Sequence, residues 1–339
     1  MQATNAASSG VKIPVQTLKE LNARRDGPGL RYLATWIALL IGFGALIAVT
    51  RGSGWIWLAL IPYAIILMVP AYALSHETGH KTAFKTKWLN EIVFYLASWL
   101  YGEEPIHRRY SHANHHQMTW HAGKDSQMPF DTPMGLGGWL LEASSLGLLR
   151  FHGEVTIRLL LRRPSRIMQD VIPDNLFPAA QRNQALFVLG YALVLLPLFF
   201  SQYWTLWFLI LPRFIGAPVM MIFTILQHAE LQENDPDIRK STRSFRGSWW
   251  ASFLYMNMEN HVEHHLYSSI PFHALPKLKN ELDGQVPKAD PGFLRSSLDV
   301  LSVVTRRSLG RPTKASAIRQ APHMVTNGGP IQKVAQRTM

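Results

Sequence analysis

Three short clusters of histidine carry the chemistry in this sequence: His76-Glu77-Thr78-Gly79-His80, His112-Ala113-Asn114-His115-His116 and His261-Val262-Glu263-His264-His265, with His228 alone at the end of an apolar stretch. Imidazole offers a neutral nitrogen lone pair near pH 7, so histidine repeated at helical spacing is the pattern of a metal site. With 14 histidines in 339 residues, one HxxHH string is expected only about 0.02 times by chance, and the chain has two. His76 and His80 stand i,i+4 on one helix face. In each HxxHH box the first and fourth residues, i,i+3, share a face, and the fifth widens the grip to a neighbouring position. Nine imidazoles exceed what one tetrahedral or octahedral ion uses, so two ions are the economical count. Ligand type alone leaves iron, copper, zinc and nickel open. The chain has no cysteine, which excludes thiolate zinc sites, iron–sulfur clusters, disulfide scaffolds and thiol nucleophiles together. His107, His121, His152, His273 and His323 read as surface, interface or supporting groups, His107 and His121 being nearest the second box.

Two other readings use the same residues. His76-Glu77-x-x-His80 spells the HExxH motif of zinc proteases, in which Glu77 is the general base. An intramembrane metalloprotease of that kind needs one more ligand, Asp283 or Glu263, and leaves seven clustered histidines idle. A soluble di-iron carboxylate bundle would use Glu77-x-x-His80 and Glu104-x-x-His107 as Glu-x-x-His pairs, but Pro105 lies inside the second, where it disrupts the helix the motif requires. A metal transporter would hold its ligands at mid-bilayer, whereas these histidines fall at the ends of apolar stretches.

Those stretches are the elements that must position the histidines. Of the chain, 47% is hydrophobic and 17% charged, with 34 Lys+Arg against 22 Asp+Glu for a net +12, a balance that excludes disorder for most of the length and favours a membrane protein. Four spans are expected, at about 33–49, 55–75, 185–200 and 204–226, each near the roughly 20 residues a bilayer core demands. They pair as two hairpins, and Trp55 and Trp57 fall at an interface. Ile92 to Tyr101 is too short to span and reads as interfacial or re-entrant. Basic residues gather before the first span (Lys12, Lys19, Arg24, Arg25, Arg31) and between the hairpins (Arg108, Arg109, Arg150, Arg158, Arg162, Arg163, Arg166), while the hairpin tips carry only Arg51. The positive-inside rule then puts both termini and the histidines in the cytoplasm. The expected fold is all-α: four transmembrane helices in two hairpins, with a cytoplasmic helical cap over the metal site. Residues 1–32 form a cytoplasmic segment, 33–283 the catalytic unit and 284–339 a basic C-terminal segment. From Arg306 that tail holds seven Lys/Arg and no acidic residue, which reads as disordered and attracted to anionic lipid. No signal peptide is visible, and no nucleic-acid partner is expected.

The boxes and their flanks resemble the membrane fatty acid desaturase and hydroxylase superfamily, and most closely a bacterial branch that includes the hydrocarbon oxygenase of rhizopine catabolism. The resemblance covers about Ala71 to Asp283. It rests on Arg109-Tyr-Ser-His112-Ala-Asn-His115-His116, Gly123-Lys-Asp125, Gln227-His228-Ala, Asn257-Met-Glu-Asn260-His261-Val-Glu-His264-His265-Leu and Pro271-Phe-His-Ala-Leu-Pro276. It implies that His76, His80, His112, His115, His116, His228, His261, His264 and His265 bind two non-haem irons. It further implies that Asn257 or Asn260 completes the shell through a water, and that Glu77, Asn114, Asp125 and Glu263 orient imidazole N–H groups. One departure is His107, where several related sequences carry an aromatic residue.

With no fused haem domain in the chain, electrons would come from a separate ferredoxin-like or other small carrier, with its reductase, docking on the basic face. The reaction implied is O2-dependent oxidation of an unactivated C–H bond: fatty acyl desaturation first, with hydroxylation of an alkyl or small amphipathic compound as the alternative. The setting would be a bacterial inner membrane. Pro62, Pro70, Pro212 and Pro218 are expected to kink the spans and admit acyl chains. Arg213, deep in the fourth span, is a candidate for a substrate carboxylate, and Trp139, Trp249 and Trp250 for a channel lining.

Overall fold

In the computed structural model, which describes residues 10–128, 130 and 132–313, the apolar stretches become helices. In chain order these are α1 (Val15–Leu21), α2 (Asp26–Thr50), α3 (Ile56–Gly79), α4 (Lys87–Tyr101), α5 (Pro105–Gln117), α6 (Leu136–Ala143), α7 (Leu146–Leu160), α8 (Arg166–Val171), α9 (Phe177–Leu195), α10 (Leu211–His228), α11 (Ile238–Ser241), α12 (Trp249–Leu254), α13 (His261–Leu266), α14 (Leu275–Glu281) and α15 (Phe293–Ser308). Among the described residues no strand forms; Phe245 and Asp290 make an isolated bridge. The fold is all-α, and four helical runs are long and apolar enough to cross a membrane: those ending at Thr50 and Gly79, Asp174–Phe200, and Leu206–His228. α2 begins at Asp26 rather than Leu33, because Pro28 falls in its first turn, where the missing N–H is tolerated. α4, at 15 residues, is too short to span; it leaves Trp88, Ile92 and Leu96 exposed and buries Val93, Phe94 and Ala97.

α3 is the central helix, packed by α2, α4 and α10. Its approach to α10 is set by Gly216: a Cβ there would lie 2.0 Å from the Ala64 carbonyl oxygen. The prolines leave carbonyls without a helical partner, which inside a membrane protein must be satisfied from elsewhere. Pro70 frees the Ile66 carbonyl, and Trp36 Nε1 on α2 donates to it at 2.7 Å. Pro212 frees the Phe208 carbonyl, which accepts from Tyr63 of α3 at 3.3 Å, and a π-helical turn at Leu206–Ile210 leads into α10. At the hairpin tips the Arg51 guanidinium lies 4.4 Å above the Trp204 ring, so the tips meet at the end of the molecule opposite the histidines.

The segment after 283 is part of the core rather than an appendage: Phe293 of α15 stacks on Phe223 of α10 with centroids 4.0 Å apart. α15 is helical to Ser308, so the expected onset of disorder near Arg306 falls on an ordered turn. The rest of that tail, from 314 and including His323, lies outside the described residues.

Candidate metal centre

Four elements bring the histidines together. His76 lies in the last turn of α3 and His80 is its C-cap; α5 carries His112, His115 and His116; His228 ends α10; His261, His264 and His265 lie on the short α13. α5 starts sharply: Pro105 occupies its first turn and the Glu104 carboxylate caps it by accepting from the His107 N–H at 2.7 Å. Pro105 therefore starts the helix rather than disrupting it, and Glu104 lies outside the helix as a cap.

The nine imidazoles fall into two groups. His76, His80, His112, His116 and His264 form one, and His115, His228, His261 and His265 the other; within each group the nearest ligand nitrogens all lie within 4.8 Å of one another. Each HxxHH box is split between the groups. The first and fifth histidines, i,i+4, serve one group and the fourth crosses to the other, so the expected i,i+3 pairing is not the one formed.

Five Nε2 to Nε2 separations are 3.0 to 3.2 Å: His80 to His112, His112 to His116, His116 to His264, His228 to His261, and His261 to His265. The outward partners of the rings fix several tautomers. His228 Nδ1 faces the Ser241 carbonyl at 2.8 Å and His115 Nδ1 faces the Asp125 carboxylate at 2.9 Å. His112 Nδ1 faces Gln127 Oε1 at 2.9 Å. His265 Nδ1 lies 3.2 Å from the Thr119 hydroxyl, which itself donates to the His115 carbonyl at 2.6 Å. In each case Nδ1 carries the hydrogen, and Nε2 is left as a lone pair aimed at its neighbours.

Lone pairs at such distances repel unless a cation lies between them. Two nitrogens bound at right angles to one ion with bonds of about 2.1 Å lie about 3.0 Å apart, which fits the separations seen. Both ring nitrogens of buried His76 lack a hydrogen-bond partner among the described residues, as does His264 Nδ1. Burial disfavours the charged form of six of these rings: it pushes His80 down to about 3 and His112, His116, His261, His264 and His265 well below the ordinary value.

Of the residues proposed from sequence to support the rings, Asp125 touches one. It also accepts from the backbone N–H groups of Trp120 and Gln127, both at 2.8 Å. Burial raises its pKa, but His115 and these donors outweigh that and lower it. Asn114 accepts instead from Ser126 N at 2.9 Å, tying the loop after α5. Glu77 accepts from Phe272 N at 3.0 Å, which takes it away from the role of a protease base, and Asp283 is exposed. Glu263 accepts from the Ser244 hydroxyl at 2.5 Å. The Asn257 and Asn260 amides donate to the carbonyls of Phe272 and Asn257 at 3.1 and 2.9 Å. Gln127, Thr119 and the Ser241 carbonyl were missed, as no sequence spacing links them to a histidine. Gln227, whose amide lies 3.0 Å from His261 Nδ1, adjoins His228 in sequence.

A cavity of about 250 Å3 opens against both groups, reaching His112, His115, His228 and His261. None of the four residues put forward for substrate lines it. Arg213 donates to the Leu100 carbonyl at the end of α4 and to the Tyr191 hydroxyl; Trp249 is 85% exposed; Trp139 and Trp250 pack on the core. Beside the cavity lies a second buried polar cluster, centred on Glu103. Its carboxylate is 2.8 Å from His107 Nδ1, 3.7 Å from Arg108 Nη1 and 4.0 Å from His152 Nε2. Burial opposes ionisation of Glu103, but His107 and Arg108 prevail and bring it down to about 2.

The sequence from 53 to 296 matches the family model described as fatty acid desaturase. Among characterised proteins, the sn-1 oleoyl-lipid 12-desaturase of Arthrospira platensis is 23% identical over 293 residues, covering 72% of this chain and 74% of that one. Two histidine groups, held at the ends of two of the four membrane-length helices and on the shorter α5 and α13, agree with both findings, and the chain, an integral membrane oxidoreductase, belongs to the fatty acid desaturase family.

Proposed function

We propose that the nine histidines bind two non-haem irons and that the protein oxidises an unactivated C–H bond with O2, acting on an acyl lipid to form a double bond. The observation that carries this reading is the convergence of nine buried or half-buried imidazoles into two groups whose ligand nitrogens lie within 4.8 Å of one another, with Nε2 to Nε2 separations of 3.0 to 3.2 Å. When bound, the paired irons supply, with O2 and two electrons, an oxidant strong enough to take hydrogen atoms from an aliphatic chain. The protein's own part is positional. Asp125, Gln127, Thr119 and the Ser241 carbonyl hold ring tautomers, and Trp120 stacks on His228 at 5.0 Å, closing the cavity floor against water. Electrons come from a separate ferredoxin-like carrier docking on the basic face. The histidine end and both termini face the cytoplasm of a bacterial inner membrane, with the Arg51–Trp204 tip on the far side.

Hydroxylation of a smaller amphipathic compound is a second reading, favoured by Glu103, Arg108, Glu142, Arg150 and Glu154 in the cavity wall. Plasma mass spectrometry of the detergent-purified protein tests the metal: two irons per chain are expected, and one zinc without iron under iron-replete expression overturns the reading. Lipid profiles of host cells with and without the gene then separate the reactions. New unsaturation marks a desaturase, and new hydroxylated product with unchanged unsaturation marks the second reading.

A further inference from the structure

Three side chains in the wall of the cavity beside the histidines hold buried polar atoms that no described residue satisfies. Arg108 is 3% exposed and its Nε and Nη2 lack a hydrogen-bond partner; Trp120, 1% exposed, lacks one at Nε1; Glu142, 4% exposed, lacks one at Oε2. All three line the same cavity. Room for the carboxylate is kept by Gly147, where a Cβ would fall 2.1 Å from Glu142 Oε1. Two other buried carboxylates in or beside the wall are matched: Asp125 accepts from three donors and Glu103 is flanked by His107 and Arg108. An unsatisfied buried donor or acceptor is costly and rare in a native interior, so three around one cavity mark groups that a ligand completes.

We infer that the substrate is a compact amphipath whose carboxylate is taken by the Nε/Nη2 edge of Arg108 and the Trp120 N–H, with Glu142 accepting from a hydroxyl or amine on the same molecule. For the reaction this rests on the second reading above, oxidation of a small amphipathic compound rather than of an acyl lipid; for binding it does not. Glu103 approaches Arg108 from the Nη1 side, at 3.7 Å, which leaves open the edge bearing two coplanar N–H groups, the geometry that grips a carboxylate through both oxygens. Tyr72 and Tyr101 fix the plane of that guanidinium, their ring centroids 5.0 and 5.3 Å from its carbon. A polymethylene chain in the same space would exclude water from Arg108, Glu142 and Trp120 and return no hydrogen bond. A site built on such groups rejects a molecule that lacks the matching polar atoms. The C–H bond oxidised then lies few bonds from the carboxylate, because Arg108 also borders His76, His80 and His112.

The test is calorimetric titration of the iron-loaded, detergent-solubilised full chain, without O2, using sodium hexanoate and methyl hexanoate as probes. Hexanoate is expected to bind at least about tenfold more tightly than its ester, and Arg108→Met to abolish that preference. Trp120→Phe, which keeps the ring on His228 and removes one N–H, is expected to weaken hexanoate by several-fold. It serves as the check should Arg108→Met fail to fold. Equal binding of acid and ester, or hexanoate affinity unchanged in the folded variants, overturns the inference. Absence of iron from the protein, with the acid preference intact, would instead overturn the proposed reaction and leave the carboxylate site standing.

Discussion

The nine-histidine centre and the Glu103 cluster are neighbours, both buried and both rich in histidine, yet they differ in how charge is balanced. Glu103 carries its own partners: Arg108 supplies a counter-charge and His107 Nδ1 a hydrogen-bond contact, and together they keep it ionised. The histidine centre does not. Its rings crowd their nitrogens together, His112, His115, His228 and His265 turn Nε2 inward with Nδ1 held from outside, and the Asp125 carboxylate sits outside on His115. A buried cluster that neutralises itself is a structural device, whereas one that turns unshared lone pairs on a common point is arranged for a cation supplied from outside.

The largest expected effects separate the two groups within the centre. His264 and His261 lie on the same short helix but belong to different groups. His264→Ala should strip the metal of the five-histidine group and His261→Ala that of the four-histidine group, each lowering iron per chain by about half and C–H oxidation by at least about a hundredfold. Iron content and product formation on the same preparations check this. Complete loss of iron from both variants would show that the groups act as one unit. Asp125→Asn is the next step down, since it leaves every ligand in place and weakens the hold on His115 together with the ties to the Trp120 and Gln127 N–H groups. Iron affinity or turnover should fall roughly 10- to 100-fold, with Asn114→Ala, which touches no ring, as the comparison.

Glu103→Gln tests the other region. It leaves Arg108 buried beside a neutral amide, and breaking a buried pair in this way costs about 3 kcal/mol. Thermal unfolding should report that loss while iron per chain stays unchanged. A loss of iron with unchanged melting would mean that Glu103 serves the centre after all.

Legibility followed the same division. Eight of the nine histidines could be found from the sequence because i,i+4 and HxxHH spacings are local and chance makes them rarely, and His228 from its place at the end of an apolar stretch. Their division into five and four could not, because it depends on how α5 and α13 face each other, and helix periodicity says nothing about partners across space. The spans were found from apolar length, but not the start of α2, since apolar length says nothing of a helix that begins before its apolar run: Pro28 falls in the first turn of α2, where its missing N–H is tolerated. Asp125 sits in a motif next to the second box; Gln127 and Thr119 flank it without a signal, since a loop brings them under the rings. The cavity wall was least legible of all. Arg108 and Glu142 are ordinary helix residues until the fold buries them.

Arg213 carries the smallest effect and sharpens the contrast between a charge that binds and one that builds. An arginine deep in a span is a reasonable substrate anchor from sequence, yet its Nη2 is taken by the Leu100 carbonyl and the Tyr191 hydroxyl, with the Tyr191 ring centroid 5.3 Å from its carbon. The Leu100 carbonyl is one of the last of α4, where a cation meets both an unpaired acceptor and the negative end of the helix. Replacing it by Met keeps the aliphatic stem and removes that tie, so stability should fall by about 1 kcal/mol. The KM for substrate should not move, because Arg213 is absent from the cavity wall. A raised KM with unchanged melting temperature would return Arg213 to the substrate and leave Arg108 without its distinct role.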